Sequence, residues 1–230
     1  MDYGKIKQTT LDVYRKREIS SFPIDCIKVL QDYGMKVETY AEQKPAKYKK
    51  CLTYTGDAFS LKKKVYYNDT ITIGRIRFSL AHEIGHIALK HGSPRTQEHE
   101  DEADCFASYF LAPRMAIHYA GCKNQNDVVR LFNLSQEAAL YAFNDYRRWH
   151  RWTVHHKMNA FDKAMYQHFY DEKQDCFVYS IRKCKDCGTE IYNSPYSACK
   201  SKKCNRIAFV NFGADRELIA TENNWLYGGL

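Results

Sequence analysis

The chain has 230 residues, 44% of them hydrophobic and 27% charged, with a formal net charge of +8. That length accommodates one good core plus a small appendage, and 11 glycines with 5 prolines are too few for a low-complexity chain. Positive charge by itself bears on solubility and non-specific attraction, so it names no partner. No window approaches twenty uncharged apolar residues, which excludes an ordinary membrane-spanning helix. The opening MDYGKIKQTTLDVYRK lacks the apolar centre of a signal peptide, so a cytoplasmic protein with no membrane partner is expected.

In chain order, FPIDCIKVLQDYG (22 to 34) reads as a short helix. Pro23 suits its first position, Ile24, Ile27, Val29 and Leu30 form an apolar side, and Gly34 supplies a left-handed end. MKVETY (35 to 40), CLTYT (51 to 55) and VYYN (65 to 68) read as strands from their Tyr, Thr and Val content. The expected fold is therefore α+β: a small three-stranded, mostly antiparallel sheet beside a helical core. Helices are expected from about 76 to 170. One covers 97 to 112 and stops at Pro113; a second carries NDVVRLF; a third starts from Ser135 as N-cap. Residues 124 to 144 have the spacing of a helix-turn-helix, but the second helix presents no run of Arg, Asn or Gln to read bases. Packed helices are the simpler reading. A composition change near Asp175 divides the chain into an expected domain of 1–175 and a cysteine-rich module of 176–230.

The stretch FSLAHEIGHIALKH (78 to 91) carries the first chemistry. On a helix His82 and His86 lie one turn apart on one face, so both imidazoles reach a single ion. Glu83 is offset by about 100° and approaches the same point without ligating, which is the arrangement of an HExxH site. Zinc in such a site takes a third protein ligand and keeps an open position. The next helix offers Glu98, Glu100 and Glu102. Glu100 is preferred because Asp104, one turn on, can then accept the remaining N–H of a ligand histidine; Glu102 ranks second. Ala103 and Ala107 keep that face thin, and Gly85 leaves room for a close crossing. The bland reading of these glutamates is an acidic first turn favoured by the helix dipole. His91, His99 and His118 read as surface or internally satisfied histidines.

These pieces together resemble the ImmA/IrrE-type metallopeptidases. The resemblance rests on FPIDCIKVLQDYGMKV, RFSLAHEIGHIALKH and EDEADCFASYFLAP, in family order within residues 20 to 145. It implies a zincin-like core in an intracellular zinc peptidase, with His82, His86 and one glutamate of the second helix as ligands and Glu83 as catalytic residue. Glu100 stands in the position taken for that glutamate, and Asp104 stands where Asn is commoner. The interval from His86 to Glu100 is short for the family, which trims the cleft rim. The resemblance further implies a protein substrate: many members cut a helix-turn-helix transcriptional repressor, and others serve toxin–antitoxin or stress modules.

CKDCGTEIYNSPYSACKSKKC (184 to 204) gives C-x₂-C-x₁₁-C-x₄-C. Cys184, Cys187, Cys199 and Cys204 are spaced for a zinc-ribbon-like site of four thiolates, with Gly188 in the knuckle. Two zinc ions are thus expected, one catalytic and one structural. The other five cysteines, Cys26, Cys51, Cys105, Cys122 and Cys176, have no ligand spacing and read as thiols of the interior. Lys183, Lys185, Lys200, Lys202, Lys203 and Arg206, with Tyr192 and Tyr196, surround the four; a docking or structural role is preferred, and nucleic-acid binding is the alternative. Sequence leaves the group that steadies the oxyanion open among Tyr66, Tyr67 and His118. The leading function is a zinc endopeptidase acting on a regulatory protein. The alternative is a non-catalytic module that binds a repressor or DNA with structural zinc.

Overall fold

In the computed structural model, which describes residues 1–194 and residue 199, the chain starts with a helix. Asp2 accepts a hydrogen bond from Lys5 N and so caps α1 (Tyr3–Lys16), which buries Ile6, Leu11, Val13 and Tyr14. The same residues had been read above only for their lack of a signal peptide. Tyr14 Oη donates to Phe110 O at 2.7 Å and to Tyr109 O at 3.1 Å, tying α1 to the end of a later helix.

Helix α2 (Cys26–Asp32) begins later than its sequence suggests, because Asp25 caps it and Pro23 follows a cis peptide bond outside it. Gly34 takes the expected positive φ of 75°. The sheet differs from expectation in two ways. CLTYT belongs to α3 (Pro45–Tyr54), with Pro45 in the first turn; Tyr48 and Cys51, three apart, turn to Tyr40 and Tyr66, while Tyr54 is left exposed. Helical spacing of the buried side wins there over local β propensity. The strand falls instead on residues 58–61, between CLTYT and VYYN, so that the order is β1 (Lys36–Thr39), β2 (Ala58–Leu61) and β3 (Lys64–Tyr67). The sheet is mixed. β3 lies in the middle, parallel to β1 with Val37 opposite Val65 and antiparallel to β2 with Ser60 opposite Val65.

The remaining helices are α4 (Ile73–Ala88), α5 (Gln97–Leu111), α6 (Arg114–Tyr119), α7 (Gln125–Phe132), α8 (Gln136–His156) and α9 (Ala160–Phe169). Their caps are those the sequence supports: Thr96 caps α5 in a reciprocal box with His99, Pro113 ends the α5 run, and Ser135 accepts from Ala138 N at the start of α8. α4 and α5 run through the core against α2 and α1 respectively, with Leu80, Ile84, Phe106 and Phe110 fully buried. Gly74 lets α4 touch the start of α8, since a Cβ there would lie 2.3 Å from Ser135 N. Among the described residues no helix is long and apolar enough to cross a membrane.

The chain divides into two compact units, Met1–Ile181 and a second beginning at Arg182. The first includes a short hairpin of β4 (Tyr170–Asp171) and β5 (Cys176–Phe177), where Phe177 is buried against Phe169. β6 (Ile181–Lys183) and β7 (Glu190–Tyr192) pair in a separate two-stranded sheet.

Candidate metal centre

Two turns of α4 place His82 and His86 on one face, and their Nε2 atoms approach to 2.9 Å. Glu100 on α5 brings Oε2 to 3.1 Å from the first and 3.5 Å from the second. One donor atom from each of the three side chains therefore falls within a span of 4.8 Å. The approach depends on small residues. A Cβ at Gly85 would sit 3.2 Å from Ala103 Cα and 3.1 Å from the Phe106 ring, so any side chain there would push α5 away.

The other ring nitrogens are held from behind. His82 Nδ1 lies 2.7 Å from Asp104 Oδ1, and His86 Nδ1 lies 2.8 Å from His91 Nδ1. With those positions occupied, both Nε2 atoms and Glu100 Oε2 face one common point. Two nitrogens and one carboxylate oxygen fit a divalent ion that retains an open position, so the residues present suit a metal. Glu102 turns elsewhere, with Oε2 3.0 Å from His91 Nε2, and Glu98 pairs with the terminal amine at 2.9 Å.

Burial works against a charge on His82, but the hydrogen bond and charge of Asp104, with Glu83 and Glu100, hold it above the ordinary histidine range. His86 goes the other way. Burial first, then Arg95 and the neighbouring imidazoles, push it down to about 2, so it stays neutral. A neutral ring is what ligation needs.

Glu83 has a side chain only 2% exposed, and Arg95 holds it with a two-pronged grip: Nη2 donates to Oε2 at 3.1 Å and Nη1 to Oε1 at 3.4 Å. Arg95 Nη2 also donates to Ser60 Oγ at 2.7 Å, which ties edge strand β2 to the same spot. Nothing in the sequence singles out Arg95, which sits in a loop that only the fold carries back to α4. The other three polar candidates are engaged elsewhere or uncommitted: Tyr66 Oη accepts from Lys47 Nζ at 2.9 Å, His118 packs against Trp149 and His150, and Tyr67 lies on β3.

Residues 31–144 match the family model described as the IrrE N-terminal-like domain, a peptidase family. These residues belong to the ImmA/IrrE peptidase family. The match covers α4 and α5 entire, so every donor just described lies inside the IrrE-like domain. A comparison with curated proteins gives no match.

In the second unit Cys184, Cys187 and Cys199 bring their sulfurs within 4.8 Å of one another. Gly188 has a positive φ of 70°, and hydrogen bonds from Gly188 N to Cys184 O and from Cys184 N to Thr189 O close a tight knuckle, both at 2.9 Å. Hydrogen bonds with Thr189, more than those with the neighbouring thiols, bring Cys187 down to about 6, toward the thiolate a metal requires. Cys204 lies outside the described residues. Of the five scattered cysteines, Cys26, Cys51 and Cys122 are buried and Cys105 and Cys176 half-buried.

Proposed function

We propose that the chain is a zinc-dependent endopeptidase that cleaves a regulatory protein in the cytoplasm, a helix-turn-helix repressor above all. The observation that carries the peptidase reading is the convergence of His82, His86 and Glu100 one residue away from the buried carboxylate of Glu83. Zinc held by those three would polarise a carbonyl and make water a nucleophile at neutral pH. Glu83 then takes the proton of the attacking water and passes it to the departing amine nitrogen. Asp104 keeps His82 oriented throughout, with its proton on Nδ1.

Among the described residues β2 is an edge strand, and in this reading its outer edge takes an extended segment of substrate by main-chain pairing, with Ser60 beside Arg95 and Glu83. Such pairing demands an unfolded stretch, which suits a linker of a protein target. The repressor itself is supported by the family resemblance alone. Cys184, Cys187, Cys199 and Cys204 hold a second, structural zinc in this reading, supported by the clustering of the first three.

One observation favours the non-catalytic alternative: both carboxylate oxygens of Glu83 already accept hydrogen bonds from Arg95. Co-expression with the proteins encoded beside this chain separates the two. A neighbour cut by the wild type and left whole by Glu83→Gln establishes the peptidase. A neighbour that binds and stays intact with both proteins establishes the binding module.

A further inference from the structure

His91 and Glu102 are buried beside the metal centre without belonging to its donor set. Their side chains are 4% and 11% exposed. The α4 helix ends with Lys90 in the left-handed region at a φ of 60°, and His91 N reaches back to His86 O at 3.0 Å. That turn returns the His91 ring to the rear of the His86 ring. His99 stacks on the outer face of His91 at 4.5 Å between centroids, closing it off.

We propose that Glu102 and His91 form a proton relay that fixes His86 in the tautomer able to bind a metal. The inference rests on the metal-site reading above. An ionised carboxylate only accepts, so the 3.0 Å contact with Glu102 places a proton on His91 Nε2. A neutral His91 then keeps a lone pair on Nδ1. The 2.8 Å contact between the two Nδ1 atoms accordingly places a proton on His86 Nδ1. His86 Nε2 is left as a lone pair, aimed at His82 Nε2 and Glu100 Oε2. The opposite tautomer would put a proton where the ion must sit. Each link follows from counting protons, and with His86 only 2% exposed water is poorly placed to substitute for a missing partner. His91 and Glu102 are positioning residues, two steps removed from any substrate.

The relay is read by nitrogen-15 NMR of the histidine rings in the full-length protein stripped of zinc. His86 should carry its proton on Nδ1 and His91 on Nε2. His91→Leu should return His86 toward the Nε2-protonated form and weaken zinc binding roughly 10–100-fold, measured by competition with a chromophoric chelator. The cysteine cluster is the same in both proteins, so the difference reports on the histidine site. His91→Asn, whose Oδ1 can accept from His86 Nδ1, should recover most of the affinity; should His91→Leu not fold, that variant and the wild-type spectrum still decide. Nε2-protonated His86 in the wild type overturns the relay, as does unchanged zinc affinity in a folded His91→Leu. The expected tautomers in a protein whose histidine site takes no zinc would support the relay and overturn the metal reading.

Discussion

Glu83 is 2% exposed, a depth at which a carboxylate persists only with a partner, and Arg95 is that partner. An amide of the same size keeps one of the two acceptors that Arg95 binds and removes the base, so holding and chemistry can be separated. Glu83→Gln should keep the metal bound and lower turnover of the co-expressed target by roughly 10² or more. His82→Ala should lose metal and turnover together. Metal analysis and cleavage on the same preparations check both, and brisk turnover by Glu83→Gln would remove the general-base role. The gathering of His82, His86 and Glu100 is legible in sequence because one helix turn is a fixed distance, and the preference by spacing for Glu100 over Glu102 as the third ligand remains part of the proposal. Arg95 is not legible, since its partner is reached through a loop whose path no local pattern encodes. His91 reads in sequence as a surface or internally satisfied histidine, and the groups that meet it, His86 and Glu102, depend on the left-handed turn at Lys90, which favours glycine and here carries lysine.

Between elements, the crossing of α4 over α5 sets the site. Gly85→Ala adds a methyl 3.2 Å from Ala103 O and Ala103 Cα, closer than ordinary contact, so α5 must give by a few tenths of an ångström. It should destabilise the first unit by ~1–3 kcal/mol and weaken metal binding by separating Glu100 from the histidines. Thermal melts and metal titration of the variant read the two effects, and a neutral result would show that the crossing has slack. The sheet beside it depends on Glu38 of β1, which bonds Lys36 and Lys64 of β3. Hydrogen bonds from those two lysines bring its carboxyl down to about 2. Because the folded value lies below the unfolded one, the stabilisation is present above pH ~4.5 and drains away as pH falls toward 2. Glu38→Gln should flatten this acid-side loss, and melts between those limits test it. The misread sheet has its cause at the same scale. CLTYT and the AFSL of β2 compete for one strand position, and the contest is decided by Cys51 and Tyr48 facing Tyr40 and Tyr66 from a helix. No residue within CLTYT announces it.

For the molecule as a whole, the division at residue 181 predicts independent behaviour of the two units. Unit one has its own core of Leu80, Ile84, Phe106 and Phe110, whereas the described residues of the second gather Cys184, Cys187 and Cys199 into one cluster. Cys187→Ser should cost hydrogen-exchange protection over 182 to 194 and leave that of 78 to 91 unchanged. Loss across both would mean that the chain folds as one cooperative body. The cysteine spacing points to the cluster of Cys184, Cys187 and Cys199, while the composition change lies near Asp175 and Phe177 and Val178 beyond it are buried in the first unit. The peptidase reading itself turns on what occupies the point where three donors meet. An anomalous difference map at the zinc edge, from crystals of the zinc-loaded chain, should show a peak about 2.0–2.2 Å from His82 Nε2, His86 Nε2 and Glu100 Oε2, with no fourth protein ligand. No peak there, a peak ligated by Glu102 in place of Glu100, or a fourth side chain closing the sphere would contradict it.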